Sequence, residues 1–296
     1  MSESTEVLRR KINSAEQLGS VVRTMKALAA ASIVQYERAV HSLSEYYHAI
    51  ELGLCVCLRA TAPARFGIGN HLISSTPTTK AIVFGSDQGL VGQFNDQLAT
   101  FVLSKLKYIP GDKTIFAVGE RISGRLQDAG FSTGRAYTVP GSVAGITPLV
   151  SQILIDQESE YDQGETYIFH NRPVGGQNYE PVKQRLLPLD ATWQSTFCQI
   201  QWPTKLLPEI LGSVESTILA LIHEYLFVSL FKAGAESLAS ENACRLASMQ
   251  RAQRNIDELL DRLRMLFHQT RQTTIDEELF DVISGFEALA AVSEGN

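Results

Sequence analysis

The chain has 296 residues, 44% hydrophobic and 20% charged, a composition that suits a soluble globular protein with a sizeable core. Its net charge of −6 argues against free nucleic-acid binding, which needs a concentrated basic face. It has no run of 18 apolar residues, and the start, MSESTEVLRR, lacks an apolar signal core, so neither a membrane span nor a targeting peptide is expected.

All ten prolines lie between Pro63 and Pro208, and only six of the 21 glycines fall outside that stretch. Helix interiors tolerate neither residue well, proline costing ~3 kcal/mol and glycine ~1. The two ends therefore read as long helical arms around a compact middle, with divisions at 1–62, 63–208 and 209–296. In the first arm, Leu8, Ala15, Val22, Ala29, Tyr36, Leu43 and Ile50 recur every seven residues. A second row, Ile12, Gly19, Lys26, Ile33, Val40, Tyr47 and Leu54, runs four residues on. A heptad held this long is coiled-coil patterning. Residues 7–60 as one helix would span ~80 Å. The alanines at 27 and 29–31 favour close helix approach, although helix propensity alone would also explain them.

In the middle the periodicity changes. Apolar runs at Ala81–Gly85, Thr114–Val118 and Thr166–His170 alternate with helix-like stretches near 89–107, 119–129 and 142–158. That βαβαβ order predicts a mainly parallel sheet flanked by helices, a Rossmann-like α/β layer arrangement. Further strands are expected at Val182–Leu187 and Phe197–Gln201. The loop GSDQGLVGQFN, Gly85–Asn95, sits at a strand end and leads into a helix, where a phosphate would rest in a dinucleotide enzyme. Its glycines are spaced G-x3-G-x2-G rather than G-x-G-x-x-G, and Asp87 and Asn95 read as turn and cap residues. A nucleotide-binding α/β protein with coiled-coil arms is the alternative this loop keeps open.

The last arm repeats the pattern. Val214, Leu221, Val228, Ala235, Asn242, Met249, Ile256 and Leu263 form one row. Ile218, Tyr225, Lys232, Ala239, Leu246, Gln253, Leu260 and Phe267 form the other. The polar members weaken the seam while setting its register. With Pro208 as boundary, a helix from Glu209 to about Ala290 would reach ~120 Å and outrun its partner. Six arginines lie between Arg245 and Arg271, and six acids stand alone from Asp276 to Glu294, which fits fixed protein contacts as well as two solvated helix faces.

No catalytic, cofactor or metal site is assigned. There is no G-x4-G-K-[ST] loop and no G-x-S-x-G, and Phe227 replaces the second histidine of an HExxH that begins at His223. His170 and His223 read as packed or surface residues. Cys55, Cys57, Cys198 and Cys244 read as buried free thiols in a reducing compartment.

These residues resemble the gamma subunit of F-type ATP synthases. Leu8, Arg9, Lys11, Ile12 and Ser14 match the family's [IL]-R-x-K-I-x-S, followed by Met25, Lys26, Leu28, Ala29 and Ala30. Ser86, Asp87, Gly89, Leu90, Gly92, Phe94 and Asn95 match the mid-chain loop. Ala239–Met249 reads ASENACRLASM, and Arg271, Gln272, Ile275, Glu278, Asp281 and Gly285 match the closing motif. The chain departs from the pattern at Asp276, Phe286, Ala31, Ser32, Gln88 and Val91, as a divergent, alternate bacterial branch would, its ring carrying sodium ions or protons. No cysteine-bearing insertion is present, so the redox switch of chloroplast relatives is not expected.

The resemblance implies a non-catalytic rotor, one copy per complex, coupling ion flow to ATP synthesis or hydrolysis. The implied partners are the alpha and beta subunits of the catalytic hexamer, the epsilon subunit and the membrane c-ring, with no nucleic acid and no cofactor. The implied location is peripheral, on the cytoplasmic face of the bacterial inner membrane. Met25, Lys26, Arg271, Gln272, Asp276 and Glu278 are the implied hexamer contacts.

Overall fold

The computed structural model describes residues 5–60, 79–159, 164–176, 178–206 and 208–294. The first expected boundary, at 62–63, lies outside them. The chain divides into two compact units: residues to Ala27 with those from Ser248, and Leu28–Ala247. Two long helices contribute to both, α1 (Thr5–Ala60) and α6 (Val214–Glu294).

In the first unit the helices run antiparallel. Glu16 meets Arg264 at 2.7 Å and Lys26 Nζ donates to Gln253 Oε1 at 3.1 Å, so numbers rise on α1 as they fall on α6. Val22, Met249 and Ile256 form the seam, with Met25, Ala252 and Leu260 against it. Gly19 lies in that seam, its missing side chain leaving room for Ile256. The heptad row of Leu8, Ala15, Val22, Ala29, Tyr36 and Ile50 is buried, with Leu43 half-buried. Most of the second row is only half-buried.

The second unit is an α/β sandwich. Its sheet has the order β3-β2-β1-β4-β5, formed by β1 (Thr79–Phe84), β2 (Lys113–Val118), β3 (Thr133–Tyr137), β4 (Glu165–Gly175) and β5 (Asn178–Leu187). The first four are mutually parallel, and β5 pairs antiparallel on β4. Alternation along each strand sends side chains to opposite faces. Ala81, Val83, Ile115, Ala117 and Phe169 meet α2 (Phe94–Leu106) and α3 (Glu120–Asp128). Ile82, Phe84, Phe116, Val118 and Ile168 meet α4 (Ile146–Ser159) and the middle of α6, with Tyr36 of α1 joining the same cluster. Within this unit, too, α1 and α6 are antiparallel, Tyr47 stacking on Tyr225 and Gly53 lying against Leu221.

Several expected elements shift. Phe197–Gln201 is not a strand: α5 (Ala191–Cys198) takes up its first two residues. Asp190 caps α5 by accepting from the Trp193 amide, and Trp193 and Phe197, one turn apart, both pack on Tyr225. Helix α2 begins at Phe94 rather than 89, because Leu90 and Gly92 hold the left-handed backbone of a turn (φ 64° and 57°). Helix α6 begins at Val214, where the Ser213 hydroxyl accepts from the Ser216 amide, rather than at Glu209. Strand β3 went unforeseen, since TGRAY at an exposed edge offers no apolar run. Cys198 is half-buried, unlike the other three thiols.

Helix α6 is long enough, and over 18 residues apolar enough (mean hydropathy 1.5), to pass as membrane-spanning by composition. Its apolar side chains have other neighbours. Ile218 and Leu221 start the run, Tyr225 and Val228 pack on α5, and Leu230, Ala233, Ala235, Leu238 and Ala239 pack on the sheet.

Candidate functional site: a filled crevice and an exposed helix end

In an open α/β sheet a ligand lies beyond the carboxyl ends of the strands, where the strand order reverses. Here that point falls between β1 and β4, and helix α6 occupies it. The Ser237 hydroxyl donates to Phe84 O at 2.9 Å, and the Ser240 hydroxyl donates to Asn171 O at 3.0 Å. Glu236 Oε2 lies 2.7 Å from His170 Nε2 with both side chains buried. A cofactor at the reversal would have to displace the helix. This is the physical argument against the nucleotide-binding alternative.

The Gly85–Asn95 loop turns its polar groups inward. Asn95 Oδ1 accepts from the Ser86 amide at 3.1 Å and its Nδ2 donates to Ser86 Oγ at 2.8 Å. Asp87 accepts from the amides of Glu120 and Val139, capping α3 and tying down the segment after β3. At Gly85 a Cβ would fall 2.3 Å from the Cβ of Ile122, so only glycine permits the packing of α3 on the loop. Asp87 is a turn and cap residue as expected, whereas Asn95 lies inside α2 and caps no helix: it ties the helix back to Ser86 of the loop. Beside this loop, toward α3 and the end of β3, lies an open groove of about 1320 Å³, lined by Asp87, Leu90, Arg121, Arg125 and Tyr137 among others. It mixes both charges, and Arg125 is bonded to Asp96 at 2.9 Å.

A second polar cluster sits one turn further along α6. Glu241 Oε1 accepts from Arg245 Nη2 at 2.6 Å. The pair is single-bonded: Glu241 Oε2 and Arg245 Nε are buried without hydrogen-bond partners. Burial pushes the Glu241 carboxyl above the usual carboxylate range, with the Arg245 charge pulling the other way. Asn242, the polar member of the heptad row, donates to Leu238 O, and Lys232 lies over the Tyr47 ring.

The expected contact residues form no single cluster. Met25 packs in the seam and Lys26 is bonded to Gln253. Arg271 lies eighteen positions beyond Gln253, ~27 Å along the helix at 1.5 Å per residue. Arg271, Gln272, Asp276 and Glu278 are all exposed, as is every residue from Arg271 to Gly285. The exposed set includes large apolar side chains: Ile275, Leu279, Phe280, Val282 and Ile283 are 45–69% exposed. These five were not singled out from sequence, although an apolar set outside the heptad rows was the available signal. The buried polar residues Glu236, Ser237 and Ser240 were missed because they lie off the heptad rows, where polar residues read as a solvated face.

A family model described as ATP synthase matches residues 4–289. The chain is 26% identical to the ATP synthase gamma chain of Polaromonas sp. (strain JS666) over 291 residues, covering 95% of this chain and 98% of that one. A chain of the Euglena gracilis mitochondrial ATP synthase, solved as OSCP/F1/c-ring in rotational state 3, aligns with TM-score 0.63 and 17% identity, covering 97% of this chain and 95% of that one. A chain from the Tetrahymena thermophila mitochondrial ATP synthase central stalk and c-ring aligns at 0.53 and 18%, covering 78% and 99%. At these identities the structural likeness is one of fold.

Proposed function

Because the chain belongs to the ATP synthase family, we propose that it is the gamma-type central stalk, the rotor that couples ion flow through a membrane ring to ATP synthesis or hydrolysis in an alpha/beta hexamer. It carries no chemistry itself; its task is mechanical. Each angle of an asymmetric rod favours a different conformation of each catalytic subunit, and only that difference in contact energy can move the equilibrium between them. The observation that carries this reading is the end of α6, where fifteen consecutive helical residues stand exposed with large apolar side chains among them. Large apolar side chains left exposed together on successive turns of a helix mark an interaction surface, so these residues call for partner subunits around them.

On this reading Arg271 and Gln272, with Asp276 and Glu278 beyond them, face the hexamer, and Met25 and Lys26 contribute where α1 pairs with α6. Arg271 is suited to bidentate bonds with a partner carboxylate. The arms at 1–62 and 209–296 serve as the axle and 63–208 as the body that meets the epsilon subunit and the c-ring. One copy serves each complex, held peripherally at the cytoplasmic face of the membrane.

The test is Arg271→Ala with Gln272→Ala in an assembled complex. Expected are normal assembly and an unchanged unfolding midpoint of the full chain, with reduced ATP-driven ion pumping. Turnover and pumping equal to the parent complex would remove these two residues from the contact.

A further inference from the structure

Glu236, Ser237 and Ser240 make three polar contacts to two strands from little more than one turn of α6. Around them the helix surface is mostly small: Ala233, Gly234, Ala235 and Ala239 lie against the sheet with Leu238 as the one large side chain among them, and at Gly234 an added Cβ would already touch the Phe84 ring at 3.4 Å. Apolar burial is non-directional. A surface of this kind offers few interlocking side chains to fix the helix against small rolls or slides. Hydrogen bonds are directional, and a buried one that is broken leaves both groups unsatisfied.

The acceptors are specific to this place. Phe84 is the last residue of β1, and its carbonyl receives Ser237. Asn171 lies two residues beyond Phe169, where the ladder to β1 has ended. Its carbonyl receives the Ser240 hydroxyl at 3.0 Å. The third contact, between Glu236 and His170, places a carboxylate and an imidazole in the interior, at 7% and 3% exposure. Buried ionisable pairs contribute weakly to net stability and are best attested as devices that fix register.

We propose that Glu236, Ser237 and Ser240 form a polar key that locks α6 to the ends of β1 and β4, so that torque passes between helix and sheet through directional bonds. These are positioning residues, and their role in torque rests on the stalk reading given above.

The experiment has two arms. In the full chain, Ser237→Ala with Ser240→Ala should speed amide hydrogen exchange at 234–241 by on the order of tenfold, leaving the first unit unchanged. Glu236→Leu should do the same, while Glu236→Gln, which still bonds to His170, should exchange like the parent. In the assembled complex, the double variant should lose pumped ions per ATP against an imposed ion gradient and keep the parent ratio without one. Slip that appears only under load is what a merely destabilised fold would not produce. Unchanged exchange overturns the key, and so does an equal loss of coupling with and without load. If the double variant does not fold, each single Ser→Ala is read in the same way. If the parent chain neither assembles nor pumps, the stalk reading falls, and the exchange arm alone decides whether the key exists.

Discussion

Two stretches of α6 share one helix and meet opposite surroundings. Residues 233–244 are buried on every side, in the unit that holds the sheet, while residues 271–285 are exposed on every side. The first is built from small residues and hydroxyls, the second carries isoleucine, leucine, phenylalanine and valine. A helix with the sheet on one face and Tyr36 of α1 in the same core has little space for side chains, so size is restricted where burial is greatest. At the exposed end no described residue of its own unit sets a limit. Apolar size there is a property for partners to read, and its loss should cost the isolated chain little.

The sharpest way to break this contrast is the same deletion in both places. Leu238→Ala removes a buried side chain beside Ala235 and Ala239 and is expected to cost ~3 kcal/mol in urea unfolding of the full chain. Leu279→Ala, at 57% exposure, is expected to cost less than about 0.5 kcal/mol. Equal losses would mean that the helix end packs within its own chain, and the case for partner subunits around it would weaken.

A smaller effect sharpens the buried side. Burial raises the folded-state pKa of Glu241. A raised carboxyl pKa contributes stability that is fully present below the unfolded value of about 4.3 and is lost as pH rises through the folded value. Glutamine mimics the protonated form at every pH. The stability of Glu241→Gln relative to the parent should therefore improve as pH climbs from about 4. A difference that stays flat, or moves toward the parent, would show that Arg245 outweighs the burial of Glu241.

The sequence announced the arms more clearly than the middle, for physical reasons. Heptad rows extend over dozens of residues, with no proline in them and Gly19 as the one glycine, so α1 was legible almost to the residue. Strands β1, β2 and β4 were legible because their centres are buried on both faces and read as continuous apolar runs. The edge strand β3 has one buried residue, Tyr137, and left no pattern. The error at Phe197 came from reading an apolar run without its cap: Asp190 three positions before Trp193 is a helix start. The polar key was hidden for a different reason. Serines and a glutamate inside a heptad helix look like its solvated face, and only the carbonyls of Phe84 and Asn171, contributed by distant strands, show that they point inward.

The smallest expected effect lies in the first unit, where two polar contacts cross the α1–α6 seam in unequal surroundings. Lys26 and Gln253 are half-buried. Arg264 and Glu16 are 52% and 48% exposed at their side chains. Water and salt screen the second pair, so Arg264→Ala should cost ~0.3 kcal/mol at low ionic strength. At 1 M salt, where the screening length is about 3 Å, that cost should vanish. Lys26→Ala should cost ~1 kcal/mol and persist in salt, because its bond to a neutral amide in the seam depends less on long-range attraction. A double-mutant cycle pairing Arg264→Ala with Glu16→Ala, run at both ionic strengths, measures the coupling directly. A coupling above about 1 kcal/mol that survives salt would mean that this pair holds the register of the two helices, a role the burial pattern assigns to Val22, Met249 and Ile256.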